Sequence, residues 1–375
     1  MISMDNMNNI EKIKSIKIKS IVVIKPGQLE IESRDIPIPK YDELRIKVMY
    51  AGICGSDVHI LHGSNPFAKY PRVIGHEFLG VIDQIGEHSL DDNHDHDSDF
   101  DSNFDSTSNE ISLKIGDKVV VDPVVSCGRC YACLHDKPNV CEHLSVIGVH
   151  QDGGFSEYVC VPKRNAYLVP KRVSDQNACL IEPFAVAANI TSNTKVYPDD
   201  IAIIYGAGPI GLMVAQVLKW VYKVEHLIVT DRLDERLKMA LANGADVALN
   251  TQNEDLEAYL HKMKIKPTLI IDAACHPSIL NEAINIAAPA ARIGIMGFSG
   301  DASSIIQQKI TSKELSIYSS RLNSKKFPIV IEWMTQNLIK PELLVTHQFD
   351  YQDIKVAMDI FENHPKSCCK VILNF

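Results

Sequence analysis

One stretch constrains the fold more than any other: the apolar run IAIIY (201–205), followed at once by GAGPIG and a helix-like apolar stretch ending near Trp220. A lone GxGxxG is weak evidence, but here the glycines close a strand-like run and open a helix-like one, the context in which the motif binds a dinucleotide. Gly206 permits the tight turn, Gly208 lets backbone approach a pyrophosphate, and Gly211 allows helix to pack on strand. Pro209 and Ile210 begin the helix whose positive end meets the phosphates. Asp231 ends the next run, HLIVTD, where a carboxylate accepts hydrogen bonds from ribose hydroxyls and repels the extra phosphate of NADP, so NAD is expected. Arg232 beside it works slightly the other way. The bland alternative is that the glycines serve only a tight turn.

The runs HLIVTD, ADVALN, TLIIDAA and ARIGIMGF continue this pattern, separated by helix-length amphipathic stretches. Near-continuous apolar strands alternating with helices imply a parallel sheet covered on both faces. Upstream, apolar and polar residues alternate from Ile16 to Ile24, and LRIKVMYAGI, FLGVIDQIG and DKVVVDPVV follow with frequent Gly and Pro. An all-β first domain is expected there. The last stretch, 319–375, holds a helical segment around PIVIEWMTQNLI and a closing strand KVILNF, expected to return to the first domain. A chain of 375 residues is long enough for two cores.

The net charge of −9 comes largely from one place, since 88–110 carries eight of the 47 acidic residues and no Lys or Arg. Without that tract, 38 bases face 39 acids. No basic surface is left for nucleic acid or an anionic membrane, so neither partner is expected. The tract is too polar to bury a core and reads as a disordered insertion in a hairpin loop. No apolar run approaches the ~18 residues of a membrane span, and the first segment lacks the apolar core of an export signal, so a cytoplasmic location is expected.

Four of the ten cysteines, Cys127, Cys130, Cys133 and Cys141, form a C-x2-C-x2-C-x7-C cluster. Four thiolates in one loop close a tetrahedral shell around zinc with no open position, so the site reads as structural. The spacing lacks the proline and the three-residue gap of a ferredoxin run. A second, dispersed set is Cys54 in AGICGSDVHI, His76 and Glu77 in VIGHEFLGV, and Glu182 in IEPF. Sulfur, imidazole and carboxylate make a mixed shell typical of catalytic zinc. Spacing does not single these residues out as neighbours, and a buried His or Cys taken alone is more often plain core.

The order GICGSDVH, YPRVIGHE, four-cysteine loop, GGFSEY, IEP and GAGPIG resembles the zinc-dependent medium-chain dehydrogenase family over about 17–375. Within it, NPFAKYPRVIGHE, DPVVSCG, IIDAACHPSIL and SSRLN are similar to the sorbitol dehydrogenase branch, including its bacterial starvation-sensing, L-galactonate and L-idonate 5-dehydrogenase members. The resemblance implies an α/β protein with a GroES-like β-barrel catalytic domain (17–185, interrupted by 88–110), a Rossmann doubly wound parallel sheet (186–316) and a C-terminal return (317–375). It implies two zinc ions per chain, with Cys54, His76 and Glu77 on the catalytic one and Glu182 as a fourth ligand or a partner of the bound water, either glutamate being a candidate ligand. It also implies NAD as cofactor and a homodimer or homotetramer.

By the same resemblance, the catalytic metal lowers the pKa of a substrate hydroxyl, Ser56 accepts its proton, and the nicotinamide ribose and His59 relay it to solvent. Asp57 is expected to orient His76 by accepting its other ring proton. Ser56 and Asp57 also suit a plain turn cap. Arg321 in SSRLN lines the substrate pocket of the sorbitol branch, and Lys69 sits in PFAKYP. Either one is a candidate to pair with a substrate carboxylate, which favours a sugar acid such as galactonate or idonate over a neutral polyol. The competing expectation is a regulatory or partner-binding protein with a vestigial site. A zinc-free quinone reductase conflicts with Cys54, His76 and Glu77.

Overall fold

The computed structural model describes residues 16–87, 112–298 and 300–375. The leading residues and the acidic tract 88–110 lie outside them. The first sheet has the order β2-β1-β4, from β1 (Lys17–Lys25), β2 (Gln28–Asp35) and β4 (Arg72–Val73). A second, mixed sheet contains β3 (Glu43–Gly52), β5 (Glu77–Ile85), β6 (Lys118–Val121), β9 (Tyr158–Pro162) and β10 (Ala166–Leu168). A short pair, β7 (Val124–Val125) and β8 (Ser145–Val146), lies beside them. Both larger sheets turn apolar residues into one core that includes Ile21, Val22, Ile46, Phe78 and Val119. The alternation expected along β1 holds only at its start, because Ser20, Ile21, Val22 and Val23 are all buried. A strand flanked by β2 and β4 and covered by the second sheet has little solvated face left. β5 and β6 pair antiparallel.

A long buried helix, which we number α2 after α1 (Gly55–Leu61), spans Ile181–Asn193 and leads into the second half. Six strands then form a parallel sheet: β11 (Ile201–Tyr205), β12 (His226–Asp231), β13 (Val247–Asn250), β14 (Leu269–Asp272), β15 (Arg292–Ile295) and β16 (Ser316–Ser319). Their order, β13-β12-β11-β14-β15-β16, is that of the Rossmann fold. Successive residues of β11 serve different cores, Ala202 and Ile204 on one face and Ile203 and Tyr205 on the other. That two-sided cover explains the unbroken apolar runs, each fully buried Ile contributing roughly 1.5–3 kcal/mol.

The expected division at 316 falls on the first residue of β16, which is the sheet's sixth strand. Beyond it, α3 (Phe327–Thr335) packs Phe327, Val330 and Trp333 into the core that also holds Phe184 of α2. The chain then forms β17 (Val345–Asp350) and β18 (Lys370–Asn374), and β18 pairs antiparallel with β3. The closing strand therefore lies in the second sheet.

Candidate active site and metal centres

Pairing at the ends of three strands builds the first cluster. Gly52, the last residue of β3, is in register with Glu77, the first of β5, and with Ile372 of β18. Cys54 just beyond β3, His76 just before β5 and Lys370 at the start of β18 are thereby brought side by side. The ligand atoms of Cys54, His76 and Glu77 all lie within 4.8 Å of one another, and His76 and Glu77 are buried. Lys370 is fully buried, ion-paired with Glu77 and donating to the Ile53 carbonyl oxygen at 2.9 Å. Burial opposes its charge, yet the Glu77 carboxylate and the Cys54 sulfur hold its pKa above the usual lysine range. Lys370 stands outside the ligand set that the sequence suggested, although a lysine opening the apolar run KVILNF was the available signal.

Asp57 and His76 lie together, but not as expected. The Asp57 carboxylate accepts from the Cys54 amide at 2.9 Å and the Gly75 amide at 3.1 Å. His76 Nδ1 is 3.8 Å from Asp57 Oδ1 and has no hydrogen-bond partner among the described residues. Asp57 thus ties down the two backbone segments that carry the ligands and faces His76 as a charge. Burial opposes a charged His76, but the Cys54 sulfur, Asp57 and Glu182 outweigh it and hold its pKa well above the ordinary value. A pocket with that surplus of negative groups suits a divalent cation, and one sulfur, one imidazole and carboxylate oxygen are donors zinc accepts.

Ser56 Oγ is 3.5 Å from His76 Nε2. His59, three residues further along α1 and therefore on the same face, is exposed and bonds Ser64 Oγ through Nδ1 at 3.0 Å. Glu182, at the second position of α2, is buried but outside the 4.8 Å set. Burial pushes its carboxyl up to about 8, with Glu77 adding and His76 opposing.

The second cluster comprises the four predicted cysteines, Cys127, Cys130, Cys133 and Cys141. Sulfur separations are 3.5 Å for Cys130–Cys133, 3.8 Å for Cys130–Cys141 and 3.4 Å for Cys127–Cys141. These are too long for disulfides and close to the roughly 3.8 Å edge of a tetrahedron whose corners lie ~2.3 Å from a zinc ion. Backbone amides of Cys127 and His143 point at Cys141 Sγ, each at 3.3 Å, and amides of Cys133 and Glu142 bring Cys130 down to about 6. The residues fit a structural zinc.

The glycine turn has the geometry its motif implied. Gly206 sits at φ +95°, a conformation that disfavours a side chain, and a Cβ on Gly211 would collide with the Gly206 carbonyl oxygen. A Cβ on Gly208 would meet only open space, so the backbone there is free to face a ligand. Gly208 caps α4 (Pro209–Gln216), with Pro209 and Ile210 in its first turn. Asp231 accepts from the Ala207 amide at 2.8 Å and from the Arg232 and Leu233 amides at 2.7 and 3.0 Å, which fixes its carboxylate against the turn. The Arg232 side chain is exposed.

Arg321 and Lys69 differ in setting. The Arg321 guanidinium lies 5.3 Å from the Phe67 ring and 5.3 Å from the Phe298 ring. It is half-buried, and its own carbonyl oxygen accepts from Asn139 at 2.6 Å. Lys69 is exposed.

Comparison with known proteins agrees with this assembly. The model of the alcohol dehydrogenase GroES-like domain matches residues 40–171, and that of the zinc-binding dehydrogenases matches 209–336. A starvation-sensing protein of Escherichia coli K12, RspB, is 55% identical over 357 residues, 95% of this chain and 99% of that one. The L-galactonate-5-dehydrogenase of the same bacterium is 32% identical over 335 residues, 88% and 91% of the two chains. A crystal structure of an alcohol dehydrogenase (rspB) from E. coli CFT073, complexed with cofactor NADH, superimposes with a TM-score of 0.88 at 54% identity over 96% of this chain and 99% of that one. The chain belongs to the zinc-binding dehydrogenases with an alcohol dehydrogenase GroES-like domain.

Proposed function

We propose that this dehydrogenase moves a hydride between NAD and a secondary alcohol of a small polyhydroxy substrate, and that a sugar acid such as galactonate or idonate is preferred to a neutral polyol. The convergence of Cys54, His76 and Glu77 on one point carries this reading. Cys54, His76 and Glu77 would hold the catalytic zinc, with Glu182 as a further buried carboxylate beside it. When bound, zinc supplies a Lewis acid that lowers the pKa of a hydroxyl. Ser56 Oγ would take the hydroxyl proton, and His59, on the same face of α1 and exposed, would release it to solvent. Gly206, Gly208 and Gly211 admit the pyrophosphate at the start of α4, where helix-end amides are free. Asp231, held against that turn, meets the ribose and favours NAD, and the NADH bound by a relative at 54% identity supports that choice. Arg321 supplies the positive charge for a substrate carboxylate.

The proposed organisation is a catalytic part at 17–185, a nucleotide part at 186–316 and a return at 317–375. A homodimer or homotetramer through the nucleotide part has support in the exposed edge strand β16. All ten cysteines are free, which supports a reducing, cytoplasmic setting. Among the described residues, no helix is long and apolar enough to cross a membrane.

A screen of NAD reduction over polyols and sugar acids, with and without a chelator, tests the reading. Chelator-sensitive turnover of sugar acids and about two zinc per chain are expected. Turnover indifferent to the chelator, or a preparation with a single zinc that is fully active, would overturn it.

A further inference from the structure

A second polar group stands beside Arg321, and its protonation state is legible. His150, half-buried in the segment after β8, accepts a hydrogen bond at Nδ1 from the backbone amide of Val146 at 3.1 Å. An amide has only a proton to give, so Nδ1 carries none, and the neutral ring holds its proton on Nε2. Burial, Arg321 and Arg72 all push the His150 pKa down, in agreement with that geometry. The ring lies 5.7 Å from the Phe67 ring, and Phe67 lies 6.2 Å from Phe298. Phe67 and Phe298 keep 40% and 70% of their surface exposed, so these rings border open space rather than core.

The charges around the group are unequal in availability. Arg72 is ion-paired with Asp152 at 2.9 Å, and Arg34 shares the same carboxylate at 3.0 Å. Among the described residues, Arg321 has aromatic rings as its neighbours and no carboxylate partner. One guanidinium with no carboxylate partner among the described residues and one neutral N–H donor therefore stand beside the same pair of exposed phenyl rings. Phe298 follows β15, at the carboxyl end of the parallel strands, the side on which such sheets bind ligands. Phe67 follows α1, which carries Ser56 and His59.

We infer that His150 is a specificity-determining residue, which donates its Nε2 proton to the carboxylate that Arg321 attracts, so that the pair selects a monoanionic sugar acid. This rests on the carboxylate-binding role of Arg321 proposed above. One positive charge plus one neutral donor matches a carboxylate, which offers two oxygens and a single charge. A phosphate ester, close to a dianion at neutral pH, would leave charge unbalanced beside one guanidinium. A neutral polyol would leave the guanidinium without its counter-charge.

The test is steady-state kinetics of the zinc-loaded, full-length enzyme on galactonate or idonate, on the corresponding alditol and on the corresponding sugar phosphate. Wild type is compared with His150→Phe, which keeps a ring beside Phe67 and removes both nitrogens, and with His150→Gln, which keeps a donor. The expected result is a fall in the aldonate-to-alditol ratio of kcat/KM of about 10-fold or more in His150→Phe, the size of a hydrogen bond to a charged group. That fall should appear in KM rather than kcat, and His150→Gln should recover most of it. A purely structural role would lower both substrates together and leave the ratio alone, which would overturn the inference. A wild-type preference for the phosphate would overturn it as well. Wild type that oxidises alditols and ignores aldonates would instead overturn the carboxylate role of Arg321, a distinguishable failure.

Discussion

Lys370, outside the expected ligand set, forms with Glu77 inside it the most consequential residue pair, because both are almost wholly shielded from water. Such a pair is not itself a large source of stability, but deleting one partner strands the other's charge. Lys370→Met is expected to cost about 3–5 kcal/mol in urea denaturation, and adding Glu77→Gln should recover much of that loss. If the double variant is no more stable than the single one, the stranded-charge account fails. Asp122 offers a pH handle outside the expected ligand set. Burial raises its carboxyl from 3.8 to about 6, although the Val124 amide and Asn323 donate to it. A carboxyl raised in the folded state contributes stability that is full below about pH 4 and is lost as pH rises through about 6. The stability of wild type relative to Asp122→Asn should therefore fall by about 1 kcal/mol between pH 5 and pH 7.5. A pH-independent difference between the two would contradict the buried, raised carboxyl.

At the level of elements, the glycine turn and the cysteine loop were readable from their residues alone because each is local. The chemistry of GAGPIG depends on a tight turn and a helix start, and the four thiolates lie within fifteen consecutive residues, Cys127 to Cys141. A side chain on Gly211 would collide with the Gly206 carbonyl oxygen, so Gly211→Ala must push α4 off β11. We expect a stability loss of roughly 1–3 kcal/mol, as for other overpacked sites, together with weaker NADH binding by fluorescence titration. Unchanged NADH affinity would separate this turn from the cofactor. Removing one thiolate by Cys130→Ser should lower the metal content to about one zinc per chain and reduce the thermal midpoint while leaving the catalytic zinc in place. Loss of both ions, or of neither, would contradict two independent sites.

For the whole molecule, the order of strands matters more than any single element. β18 is nearly the last segment of the chain, yet it pairs with β3 and delivers Lys370 to Glu77. Truncation after Cys369 is expected to prevent soluble folding rather than merely trim a tail, which expression and circular dichroism would reveal. A folded, active truncated chain would show the closing strand to be dispensable. The sequence alone determined the strand runs, the two-sided burial of the parallel sheet, the glycine turn and the cysteine cluster, since periodicity and close spacing act through nearby residues. The catalytic ligand set was reached only through resemblance, because Cys54 and Glu182 are too far apart in the chain for spacing to speak. Tertiary structure decided how those ligands meet, through the shared register of Gly52, Glu77 and Ile372. It also turned Asp57 toward the Cys54 and Gly75 amides, paired Lys370 with Glu77 and gathered His150, Phe67, Phe298 and Arg321. Contacts of that kind depend on which strands lie side by side, and pairing between distant segments leaves little local trace in composition or period.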